Sequence, residues 1–384
     1  MKKILAILLI ITLIVVASAN LASCNQADER NDVFVFSSGE ITGLTDYGKT
    51  LSKITIPSKI SGENVTSIRK SAFTYCENLN SIEIGDEVTS IGEKAFLHCV
   101  NLTSVVIGKG LTSIGDNAFS ECYRLVEIIN KSEQITIEKA SEENGGIGVY
   151  ALSVINASDN DLSKVSIDED GFVFYINGQE KILVGYNGQE TAITLPNGVT
   201  KINEYAFFEW QELTNLIIPD TVVSIGKDAF NRCTALESVQ IPNAVTSVGD
   251  RAFAYCENLT SVEIGNSVKT IGKEAFYACY GLTLIVIPDS VTVISSSAFS
   301  NCFRLASVII GKSVTSIGSS AFSCCYVLGD LIIPESVIKI SNAVFSDCRV
   351  LANVYCYAKS QPSGWSSNWK GWGCTAKVHW GYKG

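Results

Sequence analysis

The dipeptide Ala-Phe recurs along most of this chain at intervals of 23 residues, and a cysteine follows three positions after nearly every Phe. A fixed period of this length is typical of a solenoid, in which each repeat buries its apolar face only against its neighbours. The spacing therefore predicts a β-rich repeat solenoid. A stack of equivalent coils has a long surface rather than a deep pocket, which disfavours an enzyme. The repeating phenylalanines are Phe73, Phe96, Phe119, Phe207, Phe230, Phe253, Phe276, Phe299, Phe322 and Phe345.

One regular unit shows how a 23-residue coil is built. Residues 259–264 carry the L-x-x-L-x-L pattern of a leucine-rich-repeat strand, with alternate side chains facing the core. Residues 268–271 form a second short apolar stretch. Ala275, Phe276 and Cys279 then have the spacing of one side of a helical turn. Each coil is therefore predicted to contain short strands and one helical turn, with equal positions stacked in register.

The phrase Val-Thr-Ser-Ile-Gly-x-x-Ala-Phe occurs almost unchanged at 88–96, 111–119, 245–253 and 314–322. This phrase resembles the BspA-like leucine-rich-repeat family of bacterial surface proteins. The resemblance implies adhesion or interaction with a host, because known relatives include binders of extracellular-matrix and plasma proteins, although the ligands differ between members. It therefore implies extracellular or host proteins as partners, and it indicates a class rather than a ligand.

The first 24 residues have the features of an export signal. Lys2 and Lys3 precede an apolar stretch at 4–16 that is too short to span a bilayer comfortably. The sequence Leu-Ala-Ser-Cys at 21–24 resembles the lipobox of bacterial lipoproteins. That resemblance implies lipidation of Cys24 and a surface-displayed lipoprotein whose only membrane contact is its lipid anchor. An ordinary secretory signal with a chance cysteine is the alternative.

Breaks in the period predict how the chain is divided. Phe207 follows Phe119 by 88 residues (207 − 119), which is not a multiple of 23, and Asn-Gly pairs between β-rich runs predict hairpins in this interval. The predicted segments are a lipoprotein signal peptide at 1–23, a tether at 24–32, an N-terminal cap at 33–60, a three-repeat array at 61–124, a β-meander insert at 125–200, a seven-repeat array at 201–352 and an aromatic C-terminal cap at 353–384.

Nine of the 13 cysteines occupy the slot after the repeating Phe, where leucine-rich repeats often place Leu. Their side chains point the same way, so we expect mostly free buried thiols rather than disulfides or metal ligands. Cys356 and Cys374 lie outside this series, and a disulfide between them is left open. The nine are Cys76, Cys99, Cys122, Cys233, Cys256, Cys279, Cys302, Cys325 and Cys348.

The sequence contains few groups suited to catalysis. His98 and His379 are the two histidines, and motifs for a serine hydrolase, a zinc protease or a phosphate loop are absent. We therefore predict no enzyme, no cofactor and no metal site, with a hydrolase of the two-carboxylate type as the alternative. The net charge of −10 without a basic run disfavours nucleic acid as a partner.

The outward positions of the main strands suggest where a partner would bind. These positions are polar in the early repeats and apolar at Leu284, Val286, Ile309 and Ile332. Neighbouring apolar side chains in solvent indicate an interaction patch. The alternatives are that β-branched residues simply suit strands or that the tail covers them.

Four of the five tryptophans lie in the tail, including Trp365, Trp369 and Trp372. They favour either a cap that seals the last coil or an aromatic platform that joins the patch as a binding surface. The predicted function is a lipid-anchored binding or adhesion scaffold. The alternatives are a carbohydrate-binding surface module for polysaccharide capture and a purely architectural envelope protein.

Overall fold

The computed structural model describes residues 32–156 and 163–384. The chain divides into two compact units, one up to Asp161 and one from Leu162 onward. The predicted leader, with Cys24, lies outside the described residues. Across the described ranges, no helix is both long and apolar enough to cross a membrane.

The first unit is built from two largely parallel sheets, and between residues 53 and 130 their strands alternate along the chain, as expected of a solenoid. An antiparallel hairpin begins one of them, and a short antiparallel pair joins Lys59–Ile60 to Glu63–Asn64. One sheet contains Phe34–Ser37, Glu40–Leu44, Ser67–Ile68, Ser90–Ile91 and Ser113–Ile114. The other contains Lys53–Thr55, Ser81–Glu83, Ser104–Ile107, Glu127–Asn130 and Ser153–Asn156. Short 3-10 helices span Gly48–Thr50 and Asn144–Gly146.

The first array continues beyond the boundary predicted at residue 124. Glu127–Asn130 pairs in parallel with Ser104–Ile107, and Ser153–Asn156 pairs in parallel with Glu127–Asn130. The coil between the last two strands is longer than 23 residues and lacks Ala-Phe, so the 23-residue pattern does not identify it as a repeat. Gly145 replaces the usual alanine as acceptor for the Phe119 N–H. Its φ of +66° and the approach of the Gly115 carbonyl exclude a larger residue. Residues 125–156 are therefore parallel coil and not a β-meander.

The second unit begins with a meander and continues as regular coils. Val165–Ile167, Phe172–Asn177 and Glu180–Tyr186 are antiparallel neighbours, and the third of these strands starts a parallel sheet. That sheet continues through Lys201–Ile202, Ser224–Ile225, Ser247–Val248, Thr270–Ile271, Val293–Ile294, Ser316–Ile317, Lys339–Ile340 and Gly364–Trp365.

The main strands of the second unit form three parallel groups in chain order. Because successive strands pair at equivalent repeat positions, such as Val239 with Val262, their inward side chains stack directly. The groups are Ala192–Thr194 with Asn215–Ile217, Ser238–Gln240 and Ser261–Glu263; Leu284–Val286 with Ser307–Ile309; and Leu331–Ile333 with Asn353–Cys356 and Lys377–Trp380.

Stacked phenylalanines form the centre of each unit's core. The ring centroids of Phe230 and Phe253 are 5.1 Å apart, and those of Phe253 and Phe276 are 5.4 Å apart, with the rings nearly parallel. In the first unit Phe73, Phe96 and Phe119 stack at 4.8 Å. These rings are fully buried. The predicted register of the repeats, and with it the solenoid, is confirmed.

The predicted helical turn in each coil is not confirmed. The N–H of Ala275 donates to Gly272 within the coil, whereas the N–H of Phe276 donates to Ala298 in the next coil, 2.8 Å away. Glu274 and Ala278 have φ near +58°, which interrupts a right-handed helical path. The segment is therefore a pair of turns and not a helix, because every second N–H group donates to a carbonyl of the next coil.

Candidate functional site

Four apolar side chains project from neighbouring strands of the second unit. In Leu284–Val286 and Ser307–Ile309 the central residue is buried and both flanking residues are exposed. Leu284, Val286, Ile309 and Ile332 expose between 43% and 55% of their surface. We call these four residues the apolar strip. Side-chain alternation along each strand explains their position, because it sends every second residue outward.

The tail continues the solenoid and leaves the apolar strip open. Asn353–Cys356 pairs in parallel with Leu331–Ile333, and Lys377–Trp380 pairs in parallel with Asn353–Cys356. The tail therefore adds strands at the end of the same face instead of folding back over it. Of the alternatives for these residues, coverage by the tail does not occur.

The three tail tryptophans that were predicted to bind a partner have different positions. Trp365 and Trp369 are buried, and the indole Nε1–H of Trp365 donates to the Val337 carbonyl, 2.9 Å away. Trp369 meets the ring of Phe345 edge-on at 5.9 Å. Trp365 and Trp369 are thus core residues of the cap and not contact residues, because they seal the last coil. Trp372 is 81% exposed and can meet a partner.

A groove of about 950 Å³ lies where the apolar strip meets the tail. Ile309 and Ile332 are part of its lining, together with Tyr357 and Tyr382 from the tail. We call this feature the cap groove. The two tyrosine rings are 5.8 Å apart, and Tyr382 also packs on Tyr355 at 4.9 Å. The groove therefore has an aliphatic side and an aromatic side.

Charged side chains border the cap groove. Lys312, Lys359 and Lys383 line it and are exposed, and within the described residues none of their ammonium groups has an ion-pair partner. Asp330 and Glu335 are the acids in the lining. The carboxylate of Asp330 accepts two hydrogen bonds from Asn353. The groove thus combines apolar surface with lysines that are free to contact a ligand.

A second groove of about 870 Å³ lies earlier on the same face of this unit. Asp170, Asp220 and Glu263 line it, without a lysine or arginine, and Ile217 is exposed within it. We call it the acidic groove. Sequence reasoning found the polar character of these repeats but not the groove, because its acids come from separate turns and strands.

The predicted family is settled by the repeat pattern. The BspA type leucine rich repeat region matches in six copies over residues 46–147, 186–305 and 269–364, which is more than half of the chain. The chain belongs to this family. No curated protein matches the sequence.

Three solved structures resemble this BspA-type repeat protein. A leucine-rich repeat protein from Eubacterium ventriosum ATCC 27560 is 21% identical, with 88% of this chain and 93% of that chain covered and a TM-score of 0.51. One from Bacteroides ovatus ATCC 8483 is 23% identical, with 89% and 90% covered and a TM-score of 0.30. The pneumococcal vaccine antigen PcpA is 16% identical, with 86% and 87% covered and a TM-score of 0.34. The first of these supports the leucine-rich-repeat fold.

The cysteines of this BspA-type chain are free thiols throughout the described ranges, Cys356 and Cys374 included. Burial raises the pKa of Cys302 and of Cys356 to about 12. For Cys348, burial is again the main cause of a pKa raised to about 12, followed by the nearby thiol of Cys374. Thiols with such a high pKa are poor nucleophiles at neutral pH, so their role is structural.

The two histidines make surface contacts in the BspA-type coils. His98 Nδ1 lies 2.8 Å from a carboxylate oxygen of Glu121, and its ring packs on Tyr75. His379 Nε2 lies 2.9 Å from Asn353 Oδ1. No described residues form a cluster of three or more His, Cys, Asp or Glu that could hold a metal ion.

A half-buried stack on the side of the BspA-type coils escaped the sequence analysis. Tyr280, Phe303 and Tyr326 stack at 4.9 Å, and the guanidinium of Arg349 lies 4.5 Å from the Tyr326 ring. The sequence feature that indicates this stack is an aromatic residue directly after the repeating cysteine in three successive coils. Because the ring faces cover one another, mainly ring edges remain for solvent, which suits stability better than sugar stacking.

Proposed function

We propose that this protein is a non-enzymatic scaffold, displayed at the bacterial cell surface, which binds extracellular or host proteins through the apolar strip and the cap groove. The single observation that carries the proposal is the exposure of four neighbouring apolar residues beside an aromatic groove. Contiguous apolar surface of this kind marks interaction sites on soluble proteins. Membership of a family of repeat proteins with broad open faces adds support.

Binding to immobilised extracellular-matrix and plasma proteins tests this function. The double variant Ile309→Lys/Ile332→Lys is expected to lose binding while keeping its circular dichroism spectrum, because both side chains already face solvent. Ser238→Lys/Ser261→Lys is the matched control, since it adds the same charges at outward positions of earlier strands. Equal binding by the two double variants would place the partner elsewhere.

Anchoring by lipid at Cys24 is part of the proposal and has its own test. The lipobox-like sequence supports it. Cys24→Ser is expected to move the protein from the membrane fraction to the soluble or secreted fraction, because the thioether cannot form. Retention of the variant in the membrane fraction would contradict lipidation.

A carbohydrate-binding module is the second candidate, and the exposed indole of Trp372 favours it. Burial of Trp365 and Trp369 counts against a broad stacking platform, because their ring faces are used inside the cap. On a glycan array, binding that disappears in Trp372→Ala but persists in Ile309→Lys/Ile332→Lys would favour this candidate over the protein scaffold.

A further inference from the structure

The binding face of the second unit has two halves of opposite character. The acidic groove is lined by the outward residues of the strands from Ala192–Thr194 to Ser261–Glu263 and by the turns that follow them. The cap groove is lined in the same way by Ser307–Ile309, Leu331–Ile333 and the tail. Both grooves thus lie on one face, with Leu284 and Val286 on the strand between them.

The cap groove carries more lysines than acids in its lining. Lys312, Lys359 and Lys383 lack ion-pair partners among the residues that the structure describes, although the whole chain carries a net charge of −10. Three lysines face two acids in the groove lining, and Asn353 already binds one of those acids, Asp330. Uncompensated lysines beside exposed isoleucines are a complementary surface for acidic residues joined to apolar ones.

We propose that the cap groove binds an extended acidic segment of a partner protein, in which Asp or Glu side chains alternate with large apolar ones. This inference rests on the proposed function and adds the chemistry of the partner. The apolar side chains contact Ile309, Ile332 and the two tyrosines of the groove. The acidic side chains lie within reach of the lysines, whose long stems can follow the ligand.

The acidic groove determines where on the face such a segment can lie. Asp170, Asp220 and Glu263 repel an acidic ligand, so binding in the early half is disfavoured even though Ile217 is exposed there. Specificity of this kind comes from repulsion at the wrong position as well as attraction at the right one. Binding in the cap groove depends on attraction to its lysines and should therefore weaken as ionic strength rises.

Three labelled peptides test the inference with the full chain purified in mild detergent. Each peptide has about eight residues, long enough at roughly 3.3 Å per residue to cross neighbouring strands of the groove, which lie roughly 4.8 Å apart. One alternates Glu with Leu, one alternates Lys with Leu, and one alternates Glu with Ser. Only the Glu-Leu peptide is expected to change fluorescence anisotropy, because it alone supplies both the negative charge and the apolar side chains.

Charge reversal identifies the site. Lys312→Glu/Lys359→Glu/Lys383→Glu is expected to weaken Glu-Leu binding by roughly tenfold or more. The matched control reverses three exposed lysines outside the groove and should bind as the wild type does; its changes are Lys53→Glu, Lys59→Glu and Lys269→Glu. Failure of the Glu-Leu peptide to bind, equal binding of the Lys-Leu peptide, or equal binding by both triple variants would overturn the inference.

Two further measurements separate this inference from its alternatives. If sedimentation shows a dimer that the groove triple variant loses, a second copy of this chain occupies the groove and the inference is wrong. If a matrix protein needs Ile309 and Ile332 but binds the groove triple variant normally, the proposed function stands while the acidic chemistry fails. If that protein binds normally both to the Ile309→Lys/Ile332→Lys variant and to the groove triple variant, the proposed function itself fails.

Discussion

The thiol of Cys279 donates a hydrogen bond to the backbone carbonyl of Phe253 in the preceding coil, with 3.2 Å between sulfur and oxygen. A leucine in this slot could fill the space but could not donate. The cysteine column therefore links the coils by hydrogen bonds as well as by packing. The same bond joins Cys99 to Phe73, Cys122 to Phe96, Cys233 to Phe207, Cys256 to Phe230, Cys302 to Phe276, Cys325 to Phe299 and Cys348 to Phe322.

Removing one of these thiols should reduce stability measurably. Cys279→Ala is expected to lower the free energy of unfolding by about 1–2 kcal/mol, because it removes a buried donor and leaves a small void. Cys279→Ser keeps a donor and should lose less. Urea denaturation followed by circular dichroism measures both, with Cys324→Ala, outside the column, as the control. A larger loss for Ser than for Ala would contradict a role for the hydrogen bond.

The buried thiols should make the protein sensitive to alkaline pH. Burial raises the pKa of Cys302 to about 12 in the folded chain from an ordinary value of 9.0. Between these values the unfolded chain loses the thiol proton while the folded chain keeps it, so stability falls as pH rises. The contribution is fully present below pH 9 and is lost by about pH 12. Melting temperatures from pH 7 to 11 should fall less steeply for Cys302→Ala than for wild type.

Truncating a phenylalanine in the middle of the stacked series should destabilise the fold strongly. Phe276→Ala is expected to lower the free energy of unfolding by about 3–5 kcal/mol, because the ring is fully buried and stacks on both sides. Phe276→Leu should lose less, since it retains more of the volume. Denaturation midpoints would show this order, and equal losses for the two variants would argue against cavity formation as the cause.

The tail offers a matched pair of tryptophans. Trp369→Ala is expected to destabilise the last coils by about 3–5 kcal/mol, because it uncovers the end of the phenylalanine column at Phe345. Trp372→Ala should change stability by less than about 0.5 kcal/mol, because its side chain is largely in solvent. Limited proteolysis followed by mass spectrometry should show faster cleavage after residue 330 only in Trp369→Ala. Similar cleavage in both variants would contradict the capping role of Trp369.

The regular repeats could be predicted from the sequence, and the irregular coils could not. Phe230, Phe253 and Phe276 stack as their spacing indicates, because identical coils have one way to superimpose. The coil that contains Gly145 was missed because its extra residues remove the periodic signal while its backbone still pairs in parallel. The turns around Ala275 were mistaken for a helix because helical spacing and stacked turns place the same side chains inward.

The candidate site, too, could be predicted from the sequence only in part. The exposure of Ile309 and Ile332 followed from strand alternation, but burial of Trp365 and Trp369 did not follow from their sequence, which reads equally as cap or platform. The cap groove depends on where Tyr357 and Tyr382 come to lie, at the end of aperiodic segments.

The sequence by itself determined the family, the stacked core and the outward positions of the regular strands, because a fixed period makes every coil repeat the environment of its neighbours. Only the tertiary structure decided which tail aromatics are buried, which thiols meet a carbonyl and where lysines gather beside apolar side chains. The tail aromatics and the groove lysines share no common period, and each thiol–carbonyl bond joins residues of two successive coils that are 26 positions apart, so only the folded backbone brings these partners together.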